Sequence, residues 1–437
     1  MVDALLQRVG GVPRFAAYGR VTRVVGLVVE AVGLEAALGD LCSIKVGGAG
    51  QTLLAEVVGF HERGLLLMPL GDLGAIQPGC PIEPLRRQFG VDVGPGLLGR
   101  ILNGLGQPID GRGPIGPTQR VPLAAGPPSP LEREMIGSPL VTGVRALDGL
   151  LTLGRGQRVG IFAGSGVGKS TLLGMIARYA SADVNVIALL GERGREVREF
   201  LENSLGPEGL ARSVVVVATG DEAALVRARG ALVATAIAEH FRDQGKHVLL
   251  MLDSVTRVAM AWREIGLAVG EPPTTKGYPP SVFASLPRLL ERAGNGARGG
   301  ISGVYTVLVD GDDFNEPVAD AARGILDGHI VLSRRQATSG HFPAIEVLES
   351  KSRVRDHIID AEQRAAAEAC QRLLAAYRDK EDLIAVGAYQ AGGDRLVDAA
   401  VRLREELNGF LRQRPDDHTG YAETRARLLE LAARAGV

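Results

Sequence analysis

The stretch Ala163-Gly164-Ser165-Gly166-Val167-Gly168-Lys169-Ser170-Thr171 has the residue types of a loop that wraps phosphate. It follows an apolar run, Val159 to Phe162, and opens a helical pattern, Ser170 to Tyr179. That strand–loop–helix order is the context a phosphate-binding loop requires. Gly164, Gly166 and Gly168 allow backbone N–H groups to turn inward where a Cβ would obstruct them. Lys169 supplies a point charge for β- and γ-phosphates, and Ser170 offers a hydroxyl to Mg2+. The first glycine usual in such loops is replaced by Ala163, a small-for-small change.

Two further carboxylates follow apolar runs. His247 to Leu252 ends on Asp253, which beside a phosphate loop would hold the magnesium ion directly or through water. A strand-end Asp is otherwise a common helix cap or turn residue. Val184 to Leu190 ends on Gly191-Glu192-Arg193-Gly194-Arg195-Glu196, placing Glu192 where open α/β sheets bind ligands. Glu192 could orient and deprotonate a water. By spacing alone the run could equally be a solvated charged turn.

The elements that must position these groups fall into three parts. Residues 1–85 read as short strands punctuated by glycine (Val21 to Val32, Leu53 to Phe60, Arg63 to Leu70), the pattern of a small β-barrel. Phe15, Tyr18, Phe60 and Phe89 are all the aromatics of the first 90 residues, few for an oligonucleotide platform, so an oligomerising barrel is expected. Residues 86–357 hold the phosphate loop; their first part, ~90–140, is rich in Gly and Pro and reads as loops. Beyond it Val159 to Phe162, Val184 to Leu190, Val214 to Ala218, Val248 to Leu252 and Val304 to Val309 are apolar on both faces, as in a parallel sheet flanked by helices. In residues 358–437 Leu396, Ala400, Leu403, Leu407 and Phe410 share one helical face, so this end is helical. The fold class is therefore multidomain: barrel, central RecA-like α/β nucleotide domain, helical end.

Composition excludes several classes. The 49 basic and 50 acidic residues leave no excess for coating nucleic acid, and a normal apolar fraction excludes a disordered chain. Cys42, Cys80 and Cys370 lack the spacing of a disulfide framework or zinc site. No apolar run approaches the ~18 residues of a membrane span and no leader pattern is present, so a cytoplasmic protein with at most peripheral membrane association is expected.

Together the 163–171 loop, Gly191-Glu192-Arg193, Asp253 and Ser352-Arg353 resemble the catalytic subunits of rotary ATPases. More closely, Thr142 to Leu150, Gly154 to Arg158, Glu271-Pro272-Pro273, Gly277 to Phe283 and Ala322 to Arg334 resemble the ATPases of type III export systems. Tyr18 to Val21, Gly39 to Cys42 and Gly160 to Gly166 are similar to their flagellar branch, with the virulence-secretion branch as the alternative. The N-terminus is short for the flagellar type, which puts the usual leading helix in doubt.

The resemblance implies Mg-dependent ATP hydrolysis that energises export, with Glu192 polarising water and Arg193 supporting it. Arg353, in Ser350 to Arg353, matches an arginine finger supplied by the neighbouring subunit. Phe342 and Tyr389 align with aromatics that sandwich adenine, although a lone aromatic such as Phe342 also commonly just packs. A chain with its own base and its own finger can form a site at every interface of a ring, so a homohexamer with six sites is expected. The implied partners are a stator-like regulatory dimer, a coiled-coil central stalk, an export-gate membrane protein and substrate–chaperone complexes, met at the cytoplasmic face of the inner membrane. Two other readings are an RNA-translocating hexameric helicase and a noncatalytic ring subunit; Glu192 and Arg353 oppose the second.

Overall fold

The computed structural model describes residues 18–47, 51–62, 64–309 and 313–436; Phe15 and the segment before the barrel lie outside them. The chain divides into two compact units, one of residues 1–90 with 222–226 and 261–280, the other of 91–221, 227–260 and 281–437.

In the first unit six strands close into a barrel in the order β1-β2-β5-β4-β3-β6. They are β1 (Gly19–Val25), β2 (Val28–Val32), β3 (Asp40–Val46), β4 (Gln51–His61), β5 (Gly64–Pro69) and β6 (Pro81–Gln88). Its interior takes alternate residues, among them Val29, Ala31, Ile44, Val57, Leu67 and Ile82. The run Val21 to Val32 is a hairpin, not one strand, because Gly26 at φ +56° turns the chain back. Tyr18 and Phe60 are exposed and Phe89 is buried.

The second unit is built on a sheet of β7 (Ile101–Asn103), β8 (Arg158–Ala163), β9 (Val184–Leu190), β10 (Ser213–Ala218), β11 (His247–Asp253), β12 (Gly300–Leu308), β13 (Gly328–Leu332) and β14 (Lys351–Ser352). Their order is β14-β13-β8-β12-β11-β9-β10-β7, parallel except for β14, which runs antiparallel to β13. β9, β10 and β11 are buried at every residue, as near-continuous apolar runs demand. The region read as loop holds β7 and, outside this sheet, three short strands: Gly90–Val93 paired with Gln119–Pro122, and Pro139–Leu140 paired with Leu153–Gly154. The three residues of β7 are too few to show a period; Arg100 fastens them through a buried bidentate pair with Asp110, whose Oδ2 also accepts from Ile101 N.

The helical end comprises α2 (Ala361–Ala385), α3 (Arg395–Arg402), α4 (Arg404–Leu411) and α5 (Tyr421–Ala435), numbered after α1 (Lys169–Tyr179). The expected single face from Leu396 to Phe410 spans two helices that meet at Leu403. Hydrogen bonds run through the junction, Leu403 N to Ala399 O and Leu407 N to Leu403 O, so the face survives, although Leu396 is only half-buried. Leu403, Leu407, Phe410 and Leu428 join one core with Ile161 and Leu172. Arg145 pins that core: its Nε donates to Phe410 O, and its Nη1 to Asp417 Oδ2 and Thr419 Oγ1. No described helix is long and apolar enough to cross a membrane.

Beneath the sheet's functional rim, buried His247 shares a hydrogen bond between Nε2 and Ser302 Oγ at 2.9 Å. Burial first, and Arg155 second, push its pKa down to about 4 from 6.5. A base with a depressed folded pKa stabilises the fold above its unfolded value and loses that contribution as pH falls from 6.5 towards 4. The margin of the parent protein over His247→Gln should therefore shrink by about 3 kcal/mol between pH 7 and pH 4, read from denaturant unfolding at each pH. A margin constant with pH would show that the imidazole is not buried neutral.

Candidate functional site

Three strands end on the carboxyl rim of the sheet and carry the groups singled out above. β8 runs into the 163–171 loop, in which Gly166 (φ +77°) and Gly168 (φ +85°) hold left-handed conformations that other side chains rarely adopt. Gly168 is the N-cap of α1, and no side chain caps that helix, so its first N–H groups face the loop's interior unpaired. Nothing lies within 4 Å of where a Cβ on Gly166 would stand, whereas on Gly168 it would meet the Phe342 ring at 3.3 Å. Val167 anchors the loop in the core; Ser165, Ser170 and Thr171 are exposed and Gly164 is buried. An open cradle of backbone donors at a helix N-terminus fits an anion of phosphate type.

From β11 and from the turn after β9 come the two carboxylates. Lys169 Nζ donates to Asp253 Oδ1 at 2.6 Å and to Glu192 Oε1 at 3.3 Å. All three side chains are at most 13% exposed, so these are strong pairings in a largely dry cleft. Burial works against the Lys169 ammonium, yet Asp253 and Glu192 outweigh it and hold its pKa above the ordinary lysine value. Ser170 lines the same small cleft with Glu192 and Asp253. Among the described residues no group of three or more His, Cys, Asp and Glu forms a metal cage. A hydroxyl and a carboxylate facing a phosphate cradle are nevertheless oxygen donors of the kind that hold a hard divalent cation together with phosphate.

Glu192 owes its position to Gly191, at φ +74°, where a Cβ would stand 2.8 Å from that of Arg257. Arg193 is 82% exposed and pairs with Glu196 at 3.2 Å, outside the clamp. Phe342 is half exposed, follows buried His341, and is joined to Pro343 by a cis peptide.

Arg353 is not brought to this cleft. β14 pairs with the start of β13 (Ser352 with Gly328), so Arg353 leaves the sheet at the rim opposite the loop. Its N donates to Asp327 O, and its guanidinium to Arg323 O at 3.2 Å. Leu332, level with Ala163, is four residues further along β13, about 13 Å at the rise of a strand.

Tyr389 is held by other partners than Phe342. It sits in the loop between α2 and α3, where its hydroxyl donates to Asp398 Oδ1 at 2.9 Å and its N to Leu383 O. The segment that meets Phe342 is instead 412–415: Gln413 N donates to Phe342 O, and Pro415 O accepts from Arg178 on α1. Also missed were Thr306, whose hydroxyl donates to Asp253 Oδ1 at 2.6 Å, and Arg257, whose Nε is buried without a partner beside Gly191. A basic residue one helical turn past Asp253 was the available signal for Arg257; none pointed to Thr306.

Comparison with known proteins gives three matches that tile the chain. Residues 21–86 match the β-barrel domain of the ATP synthase alpha/beta family, 143–352 its nucleotide-binding domain, and 359–430 the C-terminal domain of the EscN ATPase of type III secretion. The flagellum-specific ATP synthase of Bacillus subtilis is 54% identical over 417 residues, 95% of each chain. The type 3 secretion system ATPase of Xanthomonas euvesicatoria is 51% identical over 93% of this chain and 92% of its own. Among solved structures, the assembled ATPase EscN in complex with its central stalk EscO, from enteropathogenic E. coli, superposes with a TM-score of 0.88 at 45% identity, covering 95% of this chain and 100% of that one.

Removing the ammonium from the clamp should cost twice. Lys169→Ala should abolish nucleotide binding, measured with a fluorescent ATP analogue. It should also lower the stability of the nucleotide-free protein by roughly 3 kcal/mol, because two carboxylates are left facing one another in a dry cleft. Unchanged stability would mean that the three side chains are apart in solution.

Proposed function

We propose, from the premise that this chain belongs to the ATP synthase alpha/beta family and is an ATPase of its flagellum-specific and type III secretion branch, that it hydrolyses ATP at the 163–171 loop to energise delivery of flagellar subunits to a membrane export gate. The observation that carries the reading is the meeting of Lys169, Glu192 and Asp253 on one rim of the parallel sheet.

The loop's inward N–H groups and Lys169 take the β- and γ-phosphates, the ammonium exchanging its carboxylate partners for phosphate oxygens. Released from Lys169, Glu192 orients the attacking water and accepts its proton. Ser170 and Asp253 would hold Mg2+, which when bound neutralises charge developing on the phosphate oxygens. Arg193 supports the same rim, and Phe342 packs against the base with the 412–415 segment beside it.

Arg353 sits about 13 Å down the sheet from its own loop, which favours its acting on a second copy. A ring of identical chains then has a complete site at every interface, the homohexamer expected above. EscN, assembled and bound to its stalk EscO, is the relative that supports such a ring around a coiled-coil stalk. A stator-like regulatory dimer, the export gate and substrate–chaperone complexes complete the partners, at the cytoplasmic face of the inner membrane. The helicase reading has no support from the matches, which assign the C-terminal helices to secretion ATPases.

Glu192→Gln should keep ATP binding and stop hydrolysis. Arg353→Ala should keep nucleotide affinity and cut turnover by at least ~10³. Mixed in equal amounts, these two inactive variants should regain activity at about one interface in four, since half the chains offer the base and half the neighbours the finger. No recovery on mixing would remove Arg353 from that role. In a strain whose sole copy carries Glu192→Gln, swimming and extracellular flagellin should be lost with growth normal; retained flagellin export would move the protein to another type III system.

A further inference from the structure

The hydroxyl of Thr306 lies inside the site just described, and the catalytic reading makes no use of it. Thr306 is on β12, which lies between β8 and β11 in the sheet. Ile161 of β8 is level with it, and Leu252 of β11 is level with Tyr305, so Asp253 and Thr306 are the next pair along and share a face. The side chain is 0% exposed. With no water to turn to, its hydroxyl must find a protein acceptor. It donates to Asp253 Oδ1 at 2.6 Å, with Leu252 O a longer alternative at 3.3 Å. The ionised acceptor makes the stronger bond.

Two donors, Lys169 Nζ and Thr306 Oγ1, thus converge on Oδ1, each at 2.6 Å, while Oδ2 carries no hydrogen bond among the described residues. Their fates differ once nucleotide arrives. On the mechanism proposed above Lys169 leaves for phosphate, whereas Thr306 stays fixed in the sheet. A carboxylate held only by Lys169 would then be free to turn about its broad terminal torsion. Packing does not explain the choice of threonine. Valine has the same shape, suits a buried strand, and occupies the neighbouring positions 304 and 307. Of the strand's other buried hydroxyls, Ser302 is likewise committed, bonding Gly156 N and His247 Nε2, whereas that of Tyr305 has no partner among the described residues.

We infer that Thr306 is a positioning residue, its hydroxyl pinning Oδ1 of Asp253 so that Oδ2 stays presented to the divalent cation after Lys169 has moved to phosphate. The inference rests on the metal reading of Asp253 given above.

The test is binding of a fluorescent ADP analogue to the full chain, titrated once in EDTA and once in Mg2+. Thr306→Val should bind as the parent does in EDTA but lose about tenfold of the gain that Mg2+ confers, as loss of a partner behind a metal ligand typically does. Thr306→Ser, which keeps the hydroxyl, should restore that gain. Equal losses with and without Mg2+, no loss at all, or failure of Thr306→Ser to restore the gain would each overturn the inference. Thr306→Ala takes the place of Thr306→Val if circular dichroism shows the latter unfolded. Asp253→Asn separates the two readings. If it keeps the full Mg2+ gain, the metal reading of Asp253 fails; if it loses the gain while Thr306→Val keeps it, only the inference about Thr306 fails.

Discussion

The functional rim is organised around one ammonium group. Lys169 is buried, and a buried charge is tolerated only when paired; Asp253 and Glu192 provide the pairing. Those carboxylates reach it because three parallel strands of one sheet, β8, β9 and β11, end on the same rim, which no single segment of chain could arrange. On the reading proposed here, the clamp also makes phosphate binding an exchange. Lys169 trades carboxylate oxygens for phosphate oxygens and is never left bare, so most of its desolvation cost is met when the chain folds. The accompanying release of Glu192 and Asp253 ties their availability to the presence of nucleotide.

The parts of this arrangement legible in the sequence are those in which chemistry and position are contiguous. The loop at 163–171 declares itself because strand, glycines, lysine and helix follow one another without a break. Asp253 could be read because it ends an apolar run long enough to be a buried strand beside such a loop, whereas spacing left Glu192 even with a solvated turn and only the resemblance singled it out. Thr306 could not, since its role depends on β11 and β12 being in register, and register between strands ~50 residues apart leaves no local trace. β7 escaped because three residues carry no period. For Tyr389, alignment to a motif says nothing about whether its loop folds back onto the nucleotide; here its hydroxyl is held by Asp398 of α3.

A second constraint joins the helical end to the rim. Arg145 is buried and its guanidinium donates to Phe410 O, Arg412 O, Asp417 and Thr419, while Gln413 bonds Arg145 N, Gly143 O and Phe342 O. Three of these bonds hold the backbone of 410–419 and four its side chains Gln413, Asp417 and Thr419, so the path of the segment is fixed through both. That path lies against Phe342 on one side and α1 on the other. The helical end is therefore tied to Phe342 and to α1, and a shift of either must be borne by α4. The motif Thr142 to Leu150, uninformative as chemistry, makes sense as this joint: Asp148 accepts from Thr142 N, Thr142 Oγ1 and Gly143 N and so holds the turn that presents Arg145.

The sheet that gathers the clamp also keeps the finger away from it. The strands that carry the clamp, β8, β9 and β11, are six or seven residues long, and Arg353 emerges at the rim where they begin while Lys169, Glu192 and Asp253 stand where they end. A shorter sheet would let one chain span both rims but would lose the fully buried β9, β10 and β11 on which its core depends. Glu192 and Arg353 are therefore separated within a chain by the structure that stabilises it. On the reading proposed here, as base and finger, they can meet only across an interface, which makes turnover a property of neighbouring copies.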